Sequence, residues 1–447
     1  MSKELNLTEG KVLPTLIKFA IPFLLANLLQ SLYGAVDLLV VGQFAESAGV
    51  SAVATGSQIM QTITGIVIGL TTGGTVLIGQ YIGAKKEKDA AETVGTMVIL
   101  FAAVGIVFTL MMIILARPVS ILMHAPAEAL IQTVHYVFLC SCGIIFIVGY
   151  NMVSGILRGI GDSKTPLYFV LIACISNIIF DLVLVALFKM GAAGAAIATT
   201  LSQAISLVLA VIYLSRKGFK FKFTKKHIKF DKKKSMKVIN LGMPIALQDA
   251  LINVSFLVIT VIVNSMGLVA SAALGVTERI IVFAMLPPMA FSAAIATMTA
   301  QNIGAAKVER AKKCLKDGII ISFITGTVIC ILCQIVPETF AGVFSRDAEV
   351  IQSAALYLRS YSVDCIMVAF IFCFNGFFNG CGKSFFSMAH SIAAAFIFRI
   401  PVSFFFSHMA GVTMFHMGIA SPLASFFSII CCTIYYKSRR YESFSIK

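Results

Sequence analysis

Twelve apolar runs, each long enough to cross a bilayer and nearly free of charge, leave this sequence little choice of fold. They lie near residues 13–41, 48–82, 90–116, 129–157, 166–188 and 191–215, and after a basic stretch near 238–266, 270–303, 317–336, 350–378, 384–410 and 412–436. A helix needs about 20 apolar residues to span the hydrocarbon. Inside it only a structure that satisfies its own backbone hydrogen bonds is tolerated. The spacing therefore predicts an all-α polytopic membrane protein with twelve transmembrane helices. The chain is 59% hydrophobic and 12% charged, against about 45–50% and 25% for soluble domains. A water-soluble enzyme is excluded on that ground.

The net charge of +15 would suggest nucleic acid in a soluble chain, but here its distribution argues otherwise. With the N-terminus inside, 28 basic residues fall in cytoplasmic segments, whereas the outer loops hold only Arg117, Lys189 and Arg346. That bias sets orientation by the positive-inside rule. Both termini are expected in the cytoplasm, in the cell inner (cytoplasmic) membrane, with no nucleic-acid partner. The first apolar run is too long for a cleaved leader and lacks a small-residue cleavage site. Residues 216–237, with eleven Lys and Arg, form the expected boundary between a lobe at 1–215 and a second at 238–447. The alternating Lys and Phe of that linker suit the anionic lipid of the inner leaflet, and equally a solvated connector.

The two halves repeat. Gly79-Gln80-Tyr81-Ile82-Gly83-Ala84 returns as Ala300-Gln301-Asn302-Ile303-Gly304-Ala305, a shift of 221. Gly155, Gly159 and Gly161 return at Gly376, Gly380 and Gly382, and Pro22 returns at Pro244. Six spans per half give the repeats the same orientation, the parallel arrangement of transporters that rock around a central site. Gly65, Gly69 and Gly73, spaced by four, predict a close-packing surface on the second span. Pro22 is a candidate hinge in the first.

Enzyme and cofactor motifs are absent. Gly380-Cys381-Gly382-Lys383-Ser384 imitates a phosphate loop, but Phe377 stands where that loop needs its first glycine. No cofactor and no structural metal site are expected. The eleven cysteines lie mostly within spans, so they read as small buried hydrophobes, Cys330 and Cys333 included.

Carboxylates inside spans are another matter, since each costs about 2.5–3.5 kcal/mol at the bilayer centre on insertion scales. Asp37 lies in the first span and Asp181 in the fifth, with Asn177 one helical turn before it. Thr199 in the sixth span and Asn151 in the fourth are the nearest further polar candidates. Hard oxygen ligands suit Na⁺, and a pair of carboxylates suits a shared proton. Shifted by the repeat, Asp37 lands on Val258 or Ile259 and Asp181 on Pro401 or Val402. The scaffold is duplicated and these acids are not, which favours function over structure for both. In the second half Asp249, Glu278 and Asp364 are secondary candidates, with Arg279, Arg359 and Arg399 available as ion-pair partners.

These features together, Asp37 before Val41-Gly42, Gln80 to Gly83, and Arg158-Gly-x-Gly-Asp162 with Pro166, resemble the multidrug and toxic compound extrusion (MATE) family, closest to its DinF-like branch. The resemblance implies two six-helix lobes forming a V. It also implies cation-coupled export of organic, cationic or lipophilic compounds, and the monomer is the expected form of the chain. In that branch a polar site in the N-terminal lobe binds H⁺ or Na⁺, and Asp37, Asn177, Asp181, Thr199 and Asn151 match its positions. The glutamate that the NorM-type branch carries in its seventh helix is missing, the region of Ile252 being apolar. A lipid-linked oligosaccharide flippase is the competing expectation, and it needs a large basic cavity.

Overall fold

The computed structural model describes residues 6–219 and 221–442. Among these residues the chain is helical throughout, without strands. In order come α1 (Val12–Phe44), α2 (Ser47–Gly83), α3 (Glu87–Leu122), α4 (Leu130–Cys142), α5 (Ile144–Gly159), α6 (Lys164–Asp181) and α7 (Gly191–Lys217). Then follow α8 (Lys232–Asn264), α9 (Leu268–Gly304), α10 (Val308–Ile335), the short α11 (Pro337–Gly342) and α12 (Ala348–Gly380). Last come α13 (Ser384–Ala393), α14 (Ile400–Ser407) and α15 (Met414–Lys437). Eleven helical stretches are long and apolar enough to span, and α4 with α5 make a twelfth, bent by 47°. The bend falls at Gly143, where a Cβ would lie 2.8 Å from the Thr200 side chain on α7.

Two spans change pitch. Leu182–Leu187 continues α6 as a π-helix, and Ala394–Arg399 joins α13 to α14 in the same form. The second has a plain cause, because Pro401 lacks an N–H and its ring crowds the preceding turn. The first has no proline, and it follows Asp181 directly.

The repeat is visible in the backbone. Helices α2 and α9 both stop at a residue in the left-handed region, Lys85 (φ 55°) and Ala306 (φ 57°). Gly161 (φ 96°) and Gly382 (φ 80°) turn the chain in the same way after α5 and α12. In one half Gly159 passes close to Thr75, and in the other Gly380 passes close to Ala296. Those two crossings are the same pair of positions shifted by 221.

Contacts sort the chain into two compact units, one holding Leu25–Ala246 and the other Asn6–Leu24 with the chain from Leu247 onward. Each division falls within a long helix, α1 or α8. In the second unit the lead-in to α1 docks on the start of α10. Leu7 is fully buried, and Arg310 donates through Nη1 to the Gly10 carbonyl and through Nη2 to the Glu9 carbonyl, both at 2.6 Å. In the first unit the lead-in to α8 docks on the start of α3. Thr96 donates to the Lys229 carbonyl at 3.3 Å, and buried Lys234 bridges Asp89 (3.1 Å) and Glu92.

Within the first unit α2 meets α8 at glycine. A Cβ on Gly69 would lie 2.5 Å from the Ala246 backbone, and one on Gly73 would lie 2.5 Å from the Gly242 nitrogen. A Cβ on Gly65 would meet open space. The close-packing surface expected over three glycines therefore covers Gly69 and Gly73 and leaves out Gly65, which lies before the crossing. Pro22 is accommodated inside an unbroken α1.

Candidate functional site

Four of the five polar positions singled out in the N-terminal half meet inside the first unit. Asp37 on α1 is 5% exposed, Asn177 on α6 is 1% exposed, and Asp181 at the end of α6 is fully buried. The Asp37 carboxylate stands within interacting range of the Asp181, Asn177 and Thr199 side chains. Helical spacing accounts for part of this, since Asn177 and Asp181 are one turn apart on one face. Packing of α1, α6 and α7 supplies the rest.

The cluster is polar but unsatisfied. Asp37 Oδ1, both Asp181 oxygens, both amide atoms of Asn177 and Thr199 Oγ1 are buried without a properly formed hydrogen bond. Among the described residues neither carboxylate has a basic partner. Ion pairs in this unit form elsewhere, Lys88 with Glu92, Lys234 with Asp89 and Glu92, and Lys217 with Asp162. Two ionised carboxylates packed together without a counter-charge would be strongly unfavourable. The arrangement calls for a proton shared between them or a bound cation. Its oxygen donors, two carboxylates, an amide and a hydroxyl, suit a small hard ion.

Asn151 takes a different role. It is buried, and its Nδ2 donates to the Ile147 carbonyl of its own helix at 2.8 Å. Residues that the sequence did not single out stand beside the acids. Tyr33, one turn before Asp37, interacts with Gln203, one turn after Thr199. With Gln30, Ser202 and Ser206 they line a cavity of about 10 Å³, close to the least that holds one water. The four-residue spacing from Asp37 and Thr199 was the signal available for both.

The acids of the second unit are dispersed by comparison. Glu278 accepts from Thr260 Oγ1 at 3.4 Å, and Asp249 is half-buried. Asp364 is 2% exposed, with Ser425 and Arg399 in range and Oδ1 unpartnered. Arg359, the sequence neighbour available to Asp364, pairs with Glu338 at 3.0 Å. Its helix position aims it at α11 instead. Arg399 lies 4.7 Å over the Phe256 ring and donates to Ser255 at 3.4 Å.

A family model described as MatE matches the chain twice, over residues 22–183 and 244–405. The two matches are offset by the spacing of Pro22 and Pro244. The probable multidrug resistance protein YoeA of Bacillus subtilis is 26% identical, covering 98% of this chain and 96% of that protein. The multidrug export protein MepA of Staphylococcus saprophyticus is 23% identical, over 91% of this chain and 89% of its own. A solved structure of a multidrug resistance MATE family transporter of the MOP superfamily, in an outward-facing conformation, superposes with TM-score 0.92. It shares 20% identity over 98% of each chain, and identity that low carries the fold alone.

Proposed function

The chain belongs to the MatE family, and on that premise we propose that it is a secondary antiporter exporting cationic or lipophilic organic compounds against inward H⁺ or Na⁺. It is a multi-pass membrane transporter and not an enzyme. The observation that carries the coupling is the pair of buried carboxylates, Asp37 and Asp181, left without a basic partner among the described residues. A cation entering from outside and shared between them relieves their mutual repulsion, and its departure inward restores it. That cycle gives the first unit two states of different energy, which is what coupling to substrate requires. Both termini lie in the cytoplasm, as the basic residues are distributed, and the working form is the monomer.

The driving force sets what can be exported. One inward cation is worth about 2.3 kcal/mol per 100 mV, and one pH unit adds about 1.4 kcal/mol. Together they support roughly 500-fold accumulation of a neutral substrate exchanged one for one. A monovalent cationic substrate exchanged one for one moves no net charge. Only the ion gradient then drives it, about tenfold per pH unit. The oligosaccharide-flippase alternative finds little support, because Arg359 is paired with Glu338 and Arg399 is stacked on Phe256.

The test uses purified protein in liposomes loaded with a fluorescent cation, with Na⁺ and pH gradients imposed separately. One gradient is expected to drive efflux. Asp37→Asn and Asp181→Asn are each expected to fold and insert normally yet abolish driven efflux. An Asp37→Asn protein that still moves dye uphill refutes the coupling site.

A further inference from the structure

The first unit carries a cleft of about 500 Å³ at the end that the basic-residue distribution assigns to the outside. Its lining includes Phe44, Glu46, Gln132, His135, Lys189 and Ala193. Three of its lining segments are outward continuations of the elements that carry the acid cluster. Phe44 lies seven residues beyond Asp37 on α1, and Ala192 seven residues before Thr199 on α7. Seven residues of α-helix rise about 10 Å. Lys189 follows Asp181 by eight residues, across the π-helical turn. The fourth segment is α4, where His135 precedes the buried Tyr136, and the Tyr136 ring is already within electrostatic reach of Asp37.

We propose that this cleft is the port through which the coupling cation reaches Asp37 and Asp181. Glu46 and His135 form its polar rim, and Lys189 sets an electrostatic barrier at its mouth. The inference rests on the coupling role proposed above for the acids. A hydrated monovalent ion fits the volume, and Glu46 offers it a carboxylate at the entrance. Lys189 is held in a left-handed turn (φ 55°) against the start of α7, and it repels the same ion. Its removal therefore raises the local cation concentration in the cleft.

The experiment measures the external ion concentration that half-saturates dye efflux. Lys189→Glu changes the local charge by two, and at about 10 Å in a water-filled cleft that is worth roughly a three- to fivefold fall in the half-saturating concentration. Lys189→Gln is expected to fall between it and the native protein, and the internal dye KM to stay unchanged. Ala193→Cys in a Cys142→Ser background supplies an independent reading. A positively charged, membrane-impermeant thiol reagent added outside should raise the half-saturating concentration, and a negatively charged one should lower it. If these changes leave it fixed while Asp37→Asn still abolishes coupling, the port is refuted and the acid site stands. If Asp37→Asn retains coupling, the underlying site reading fails instead.

Discussion

Gly65 and Gly73 lie two turns apart on one helix, yet alanine at the two positions should move stability in opposite directions. At Gly73 the added Cβ would sit 2.5 Å from the Gly242 nitrogen, where ordinary contact begins near 3.4 Å. Helices α2 and α8 would have to part by about 1 Å, and the atoms in the way are backbone, which cannot rotate aside. Overpacking of this kind costs about 1–3 kcal/mol, offset by the 0.5–1 kcal/mol or so that alanine gains over glycine within a helix. At Gly65 nothing lies within 4 Å, so only the gain remains. A body the size of one unit shifts by about 2–4 °C per kcal/mol. At the middle of those ranges the net cost at Gly73 is about 1.25 kcal/mol, so Gly73→Ala is expected to melt roughly 3–5 °C below the native protein and Gly65→Ala about 1–4 °C above it. The buried thiols, Cys140 and Cys174 in this unit among them, provide the readout, since a thiol-reactive dye reports their exposure on heating. A Gly73→Ala protein that melts at or above the native temperature would show that the two helices do not pack as tightly as described.

Other substitutions probe the docked segments and the acids. Arg310→Ala removes the donors to the Glu9 and Gly10 carbonyls, so residues 7–11 should lose hydrogen-exchange protection and become cleavable by protease. Arg310→Lys should rescue this only in part, because its single ammonium nitrogen, on a shorter side chain, cannot occupy both guanidinium positions that reach Gly10 and Glu9. Lys234→Met leaves Asp89 and Glu92 facing each other and should lower the melting temperature most at low salt, whereas Lys234→Arg should not. Asp37→Asn and Asp181→Asn should be non-additive, the double variant being no more impaired in ion dependence than either single one, since each breaks the same pair.

The spans were readable because charge is so costly in hydrocarbon that a chain lacking it over 20 or more apolar residues is built to sit there. The repeat was readable because glycine is required where backbones nearly touch, and Gly159 and Gly380 make the same close pass in each half. Hydropathy carries no information about which carbonyl an amide chooses. The π-helical turn after Asp181 and the break at Gly143 were therefore silent in the sequence. Spacing of four picked out Gly65 along with Gly69 and Gly73, but it cannot say where along the helix a neighbour crosses. The convergence of Asp37, Asn177, Asp181 and Thr199 was visible as polar residues with no other reason to be buried. Tyr33 and Gln203 escaped notice because aromatic and amide side chains cost less to bury than an acid does. The placement of Arg359 against Glu338 depends on a six-residue outer helix that no span pattern announces.

The docking of the two lead-in segments has a wider consequence. The stretch before α1 is held by the start of α10, and the stretch before α8 by the start of α3, positions that correspond under the 221-residue shift. Each repeat thus surrenders its opening to the unit built mainly from the other. Such reciprocal exchange is the arrangement of a domain-swapped dimer whose two chains have been fused end to end. A chain severed within residues 218–231 would leave two fragments, each holding a piece that completes its partner, so co-expressed halves should reassemble where either half alone stays unfinished.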